Sequence, residues 1–270
     1  MNTLTPTFHY INPSENSDLL SYDKSIRLTS NDFSIIIHQK ETKVIHLINT
    51  YTFPNTLNEK DIVSLIYEAN NQIEIICKKN TFYIYCKTNT QIPQNFYSEE
   101  EISHILPLII NEAHQYKAHT DFIKPYDLYN ISAIRKPLIE SIESFFPDFE
   151  IKTHLSNLFS LISEINKEKN TILIFVENMH FTALALQNRQ FIGANGFHFS
   201  NESDFAYYIV DFIRKIYKTE KNISALMCGN IEERSPIFQL TKKYIHKLSI
   251  IKQTDFSQLD NYHYFCDIIH

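Results

Sequence analysis

Residues 172–199 read ILIFVENMHFTALALQNRQFIGANGFHF, and residues 26–53 read IRLTSNDFSIIIHQKETKVIHLINTYTF. Each stretch is three runs of strand-forming residues separated by two short polar turns, the pattern of three antiparallel strands joined by hairpins. Phe33, Ser34 and Gln39 stand 148 positions before Phe181, Thr182 and Gln187. After the second turn the offset becomes 146, where Asn49, Tyr51 and Phe53 answer to Asn195, Phe197 and Phe199. The two copies therefore differ in one turn, two residues longer in the first.

A chain of 270 residues is long enough for one large or two ordinary domains. Hydrophobic residues make up 43% and aromatic residues 13%, with no Trp, which is the composition of a globular chain with a sizeable core. The net charge of −6 is mild and the 25 basic residues are scattered, which argues against nucleic acid as a ligand because phosphate neutralisation needs a basic stripe. No apolar run reaches the roughly 18 residues a membrane helix requires. The opening residues MNTLTPTFHYINPSENSD lack the blocks of a signal peptide, so a cytoplasmic protein is expected. Cys77, Cys86, Cys228 and Cys266 form no CxxC pair and read as small buried hydrophobes. The only glycines are Gly193, Gly196 and Gly229. Loops that wrap phosphate need glycine so that backbone N–H groups can approach the anion, so this scarcity weighs on any nucleotide hypothesis.

In chain order, residues 1 to about 20 form a polar lead-in. After the first three-strand unit Asn58 caps a helix with Ile62, Leu65, Ile66 and Ala69 on one face. Residues 72–87 read as a hairpin around Lys78, Lys79 and Asn80. Ser98 with Glu101 reads as a capping box, and Pro107 should end or kink the helix that follows. The segment 71–127 finds no match later in the chain and reads as an insertion. Asn130–Ile134 then matches Asn222–Leu226, and each run leads to an Arg-x-Pro at a helix mouth, Arg135 with Pro137 and Arg234 with Pro236. A strand near Phe149–Thr153 and a helix from His154 close the first half, and a strand around Leu248–Lys252 and a helix near Asp260–His270 close the second. Each half reads βββαβαβα, a ribonuclease-H-like unit. Two in tandem, over 20–168 with the insertion and over 169–270, make an α/β chain with the actin-like ATPase fold.

The runs IRLTSNDFSIII, VENMHFTALALQNRQFIGANGFHF, SDFAYYIVDFI and ALMCGNIEERSPIFQLTKKYI resemble family 3822 of the domains of unknown function, a bacterial family with an actin-like ATPase fold. More distantly, the run from Asn130 to Ile162 is similar to part of the actin-like pilus-assembly and cell-division proteins. The resemblance implies a fold and carries little about activity.

In actin-like ATPases the first turn of each half holds phosphate, with an Asp-x-Gly pattern that also positions the metal, and a Gly-Gly turn holds adenosine. The resemblance carries these onto Thr29, Ser30, Asn31 and Asp32, then Glu177, Asn178, Met179 and His180, and finally Cys228, Gly229 and Asn230. Ser30, Asn31, Asp32, Glu177, Asn178, Gly229 and Asn230 are thus the candidate cofactor-binding residues, with ATP and Mg²⁺ as the cofactors they would hold. Of these turns only Gly229 keeps its glycine. Asp32 and Glu177 can serve as Mg²⁺ ligands or as ordinary turn acids, and Met179 and His180 are expected to fill the cleft. His263, Cys266 and His270 share one face of the terminal helix, with no fourth metal ligand indicated, so no metal site is assigned. His180 as a general base and Cys228 as a nucleophile are each set against a satisfied turn histidine and a buried thiol. Tyr207 is expected to face solvent.

The expectation is a cytoplasmic actin-like scaffold that has no cofactor, does not hydrolyse nucleotide and binds an unidentified protein partner. The alternative is a divergent Mg·ATP-binding ATPase or kinase acting through Asp32 and Glu177. A small-molecule binder is a third class.

Overall fold

The computed structural model describes residues 5–12, 22–39, 42, 44–54, 56–165, 168–218, 222–251 and 262–268. A short strand β1 (Phe8–Ile11) pairs antiparallel with β4, the third strand of the unit β2 (Asp23–Leu28), β3 (Asp32–Gln39) and β4 (Val44–Thr52). The lead-in thus contributes an edge strand, which a reading of residues 1–20 as polar lead-in did not anticipate. Next come α1 (Glu59–Asn71), β5 (Lys79–Ile84), β6 (Asn89–Pro93), α2 (Ile102–Ile109), β7 (Tyr116–Ile123) and β8 (Leu128–Arg135). They are followed by α3 (Lys136–Phe145), β9 (Glu150–Thr153) and α4 (His154–Ile165). The second three-strand unit is β10 (Thr171–Glu177), β11 (His180–Gln187) and β12 (Gln190–His198). After it lie α5 (Glu202–Tyr217), β13 (Ser224–Gly229), α6 (Pro236–Lys242), β14 (Leu248–Ile250) and the short α7 (Tyr262–Phe265).

The two three-strand units match in detail. Phe33 stacks on its cross-strand partner Tyr51 with centroids 4.8 Å apart, and Phe181 stacks on Phe197 at 4.9 Å. A break in register falls at Ile37/His38 in one unit and at Ala185/Leu186 in the other, again 148 positions apart. In the second unit Asn188 and Arg189 both take positive φ, 51° and 65°, as a two-residue hairpin loop requires for its twist to match the strands. Positions 40–43 separate β3 from β4, which accounts for the two extra residues.

One large sheet has the order β1-β4-β3-β2-β5-β9 and the other β12-β11-β10-β13-β14, so without β1 their topologies coincide. The strand equivalent to β13 is β5, which pairs parallel with β2 as β13 pairs parallel with β10. This corrects two expectations. Residues 72–87 form no hairpin, because Phe82 and Ile84 find their apolar setting beside β2 rather than beside residues 73–77. The match of Asn130–Ile134 to Asn222–Leu226 is local likeness only, because β8 lies in a separate three-stranded sheet, β6-β8-β7. That sheet spans Asn89–Arg135, displaced from the 71–127 segment expected from sequence.

Helix details follow the same logic. The Asn58 side chain accepts from the Asp61 N–H at 3.0 Å, as read, although Val63 joins Ile66 and Ala69 as the fully buried face while Ile62 and Leu65 pack at its margin. No capping box forms at α2: Glu101 sits at its N-cap with its side chain on His104 rather than on the helix backbone, and Pro107 lies within the helix, which continues to Ile109. Tyr207 is exposed, and Cys86, Cys228 and Cys266 are buried while Cys77 is half-buried. The end of the β14 reading (Lys252) and part of the terminal helix reading, including His270 and the His263 side chain, lie outside the described residues.

All seven residues of β10 are buried because both faces of the strand are covered. Ile172, Ile174 and Val176 point into a core shared with Phe205, Ile209 and Phe212 of α5. Leu173 and Phe175 point the other way, into a core that also holds Ile36 and Ile48 of the first sheet and Leu155, Leu158 and Phe159 of α4. Burying one such side chain stabilises the fold by roughly 1.5–3 kcal/mol, so this shared core is what joins the two halves. Among the described residues no helix is long and apolar enough to cross a membrane.

Candidate functional site

The turns at the ends of β2 and β10 lie close together, with Thr29 and Asp32 of the first acting on Glu177 of the second, and Arg27 is within reach of both acids. Strand alternation turns Ile26 and Leu28 into the core under α1 and α3 and sends Arg27 the opposite way. Its side chain is 2% exposed. Nη1 donates to Oδ1 of Asp267 at 3.1 Å and to the Tyr264 carbonyl oxygen. The guanidinium carbon lies 4.3 Å from the Tyr264 ring centroid and 5.1 Å from that of Phe265, a cation–π arrangement in a dry setting. Tyr264 then donates its hydroxyl to Oδ2 of Asp32 at 2.9 Å. The α7 segment is thereby tied to β2 and to the first turn.

Burial works against the Arg27 charge, and Asp267, Tyr264, Asp32 and Glu177 outweigh it, so the guanidinium stays protonated. Burial raises Asp267 from its ordinary carboxyl value while Arg27 opposes the rise. Glu177 is pushed up to about 7 by burial first and by the nearby negative charge of Asp32 second, with Arg27 pulling it back. Three carboxyls therefore share one guanidinium. Among the described residues, Nε and Nη2 of Arg27, Oδ1 of Asp32 and Oδ2 of Asp267 have no protein hydrogen-bond partner.

Each candidate residue from the sequence has a definite place. In the first turn Thr29 Oγ1 accepts from the N–H groups of Asp32 at 3.2 Å and Asn31 at 3.4 Å and donates to the Asp32 carbonyl at 3.1 Å. The turn's own threonine thus satisfies the N–H groups that a phosphate loop would present. Ser30 is exposed and Asn31 half-buried. In the second turn Asn178, at φ 46°, donates to Glu177 Oε1 at 3.1 Å. Gly229 has φ +85°, and a Cβ there would sit 2.2 Å from the Val176 carbonyl oxygen. Asn230 N–H bonds that same oxygen at 2.7 Å, so the glycine is required by the close approach of β13 to β10. Asn230 is exposed. Beside Gly229 and Asn230 a cavity of about 220 Å³ is lined by Phe8, Ile231, Tyr264 and Phe265.

Met179 does not fill the cleft, whereas His180 is buried between the two halves. Met179 is 45% exposed, while His180 turns its ring to Tyr85, whose hydroxyl is hydrogen-bonded to Nδ1. What fills the cleft is α7. Tyr85 also lies on His154, with ring centroids 4.3 Å apart, and Nδ1 of His154 accepts from the Cys86 N–H at 3.1 Å. Burial lowers His154 to about 3 and His180 to about 4, so both rings are neutral at pH 7. The Cys228 thiol is buried against Cys266. Among the described residues no group of three His, Cys, Asp or Glu side chains is placed to hold a metal ion.

Asp32 and Glu177 were legible as turn acids, but Arg27, Tyr264 and Asp267 were not singled out. One signal pointed to Arg27: at the offset of 148 its counterpart is Phe175, so a charge stands where the other copy has a core aromatic.

A model of the family described as "Protein of unknown function (DUF3822)" matches residues 13–248. No curated protein matches the chain. Among solved structures the chain is similar to a Bacteroides thetaiotaomicron VPI-5482 protein with an actin-like ATPase fold and unknown function. The TM-score is 0.76 at 16% identity, over 86% of this chain and 91% of that one. It is also similar to a chain of the PilM-PilN type IV pilus biogenesis complex, with TM-score 0.54, 9% identity and 85% and 88% coverage. The ethanolamine utilization protein EutJ from Carboxydothermus hydrogenoformans has TM-score 0.54 at 6% identity, with 96% and 90% coverage. At these identities the likeness is one of fold.

Proposed function

The chain belongs to the DUF3822 family of proteins of unknown function and has an actin-like ATPase fold, and from that premise we propose that it is a scaffold that binds another protein without hydrolysing nucleotide. In this reading it works in the cytoplasm as two halves, 20–168 and 169–270. The observation that carries the reading is the occupation of the cleft by the chain's own Tyr264–Asp267. The cation that an anionic ligand would need, Arg27, is already bonded to Asp267. The remaining features agree. Thr29 takes up the N–H groups of the first turn, and Gly229 is held against Val176. The adjoining cavity of about 220 Å³ is below the roughly 300–1,000 Å³ of pockets that bury a small molecule. Ser30, Asn31, Asp32, Glu177, Asn178, Gly229 and Asn230 thus do not fit ATP with α7 in place. That a chain of similar fold occurs in a complex of PilM with PilN is a property of that protein, and it makes a protein partner a reasonable role for such a fold.

One observation favours the second reading, a divergent Mg·ATP-binding enzyme. Asp32 and Glu177 come from opposite halves, and the charge of Asp32 raises the proton affinity of Glu177, as a neighbouring carboxylate does in a site built for a cation. Thermal melting with and without millimolar Mg·ATP separates the two. The scaffold reading expects no rise in melting temperature and no phosphate release. A rise that Asp32→Ala abolishes would replace it with the enzyme.

A further inference from the structure

The geometry points to the cleft as a peptide-recognition groove for an aromatic–aromatic–x–acidic segment, which the chain's own Tyr264–Asp267 fills in cis and which a partner segment of the same chemistry displaces. The inference rests on the scaffold reading and names the chemistry of its partner. Cys266 packs on Cys228, and the contacts of Tyr264, Phe265 and Asp267 are of a kind that recognises a peptide. Arg27 reads the acidic side chain, and it reads the backbone through the Tyr264 carbonyl. Its guanidinium plane lies over the two aromatic rings. Asp32 reads the tyrosine hydroxyl, and Phe8 closes on Phe265 with centroids 6.0 Å apart. All five of these contacts come from β2, the first turn and β1, so the receptor is built before the segment arrives.

The fit in cis is also incomplete. Asp267 engages Arg27 through one oxygen, while Nε and Nη2 of the guanidinium and the other carboxylate oxygen have no protein partner among the described residues. A carboxylate meeting Arg27 through both oxygens satisfies two donors at once and binds more strongly. A segment from another protein that achieves this has an advantage over the resident one. It must still overcome the tethered segment's local concentration, on the order of millimolar, which keeps the groove closed to weak ligands.

The test uses the full-length chain and a fluorescein-labelled peptide YHYFSDI, the sequence of residues 262–268 with Cys266→Ser. Fluorescence anisotropy should show at least tenfold tighter binding to the Tyr264→Ala/Asp267→Ala variant than to the unsubstituted chain. Adding Arg27→Met should return the affinity to the starting level. A variant that melts cooperatively yet binds no tighter overturns the inference. If the variant does not fold, amide hydrogen exchange of the unsubstituted chain decides: excess unlabelled peptide should speed exchange across 262–268, and unchanged exchange overturns the inference. Neither measurement contains nucleotide. Mg·ATP binding, found separately, would overturn the scaffold reading without altering the peptide result.

Discussion

Nη1 of Arg27 and Oδ1 of Asp267 lie 3.1 Å apart although 240 positions separate them, and both side chains are all but excluded from solvent. Removing either partner leaves a buried charge without its counter-ion, which typically costs about 3–5 kcal/mol. Arg27→Met and Asp267→Leu are each expected to lower stability on that scale. The double variant should lose less than the sum, because it removes both desolvated groups. Urea unfolding of the four proteins measures the coupling, and simple additivity would show that the pair does not act as a unit.

The Gly196 position is coupled to His180. A Cβ at Gly196 would lie 2.8 Å from the His180 ring, and that ring is pinned by the Tyr85 hydroxyl and cannot swing away freely. Gly196→Ala is therefore expected to destabilise the protein by about 1–3 kcal/mol, the range of overpacking. His180→Ala should lessen the cost of Gly196→Ala, leaving only the 3.2 Å approach to the Lys87 carbonyl oxygen, although it has its own cost from the lost Tyr85 bond. Melting temperatures of the single and double variants check this.

Protonation should make stability climb from acid pH toward neutrality and then level off. His154 and His180 have folded values of about 3 and about 4, below the ordinary 6.5. Their contribution is complete above pH 6.5 and is lost as pH falls toward 4 and then 3. Glu177 is displaced the other way, about 7 against 4.5, so its contribution is complete below pH 4.5 and is lost as pH rises through 7. Between pH 4.5 and 6.5 the two histidines outweigh the one glutamate, and stability still climbs. Chemical denaturation across pH 4–8 should show this profile, and Glu177→Gln should steepen the climb between pH 4.5 and 6.5.

The first turn depends on Thr29. Its hydroxyl accepts from two N–H groups and donates to one carbonyl, so Thr29→Val keeps the shape and removes all three bonds. A loss of about 1–2 kcal/mol is expected, on the scale of a lost helix cap. Thr29→Ser should recover most of it in the same unfolding assay.

Much of the fold was legible because strand alternation is a local property. The period of two in Phe33–Ile37 and Phe181–Ala185 gave both three-strand units, and the change of offset from 148 to 146 located the longer turn. The fourth strand was misplaced for a related reason. The run 130–134 looks like 222–226, but likeness of short β-rich runs does not encode which sheet edge receives them. Parallel pairing of β5 with β2 brings together residues 23–28 and 79–84, and no turn chemistry announces such a partner. Of the candidate site, Asp32 and Glu177 were legible as turn acids, whereas the direction of Met179 and His180 depended on Tyr85 and on solvent.

The amino-acid sequence alone determined the repeated unit, the helix start at Asn58, and the weakness of three glycines as phosphate loops, because each depends on residues within a few positions of one another. Only the tertiary structure decided what the cleft contains. Arg27, Asp32 and Tyr264–Asp267 converge from opposite ends of the chain, and the strength of a buried charge depends on its distance to the counter-charge and on excluded water. Neither quantity is written in the order of residues along the chain.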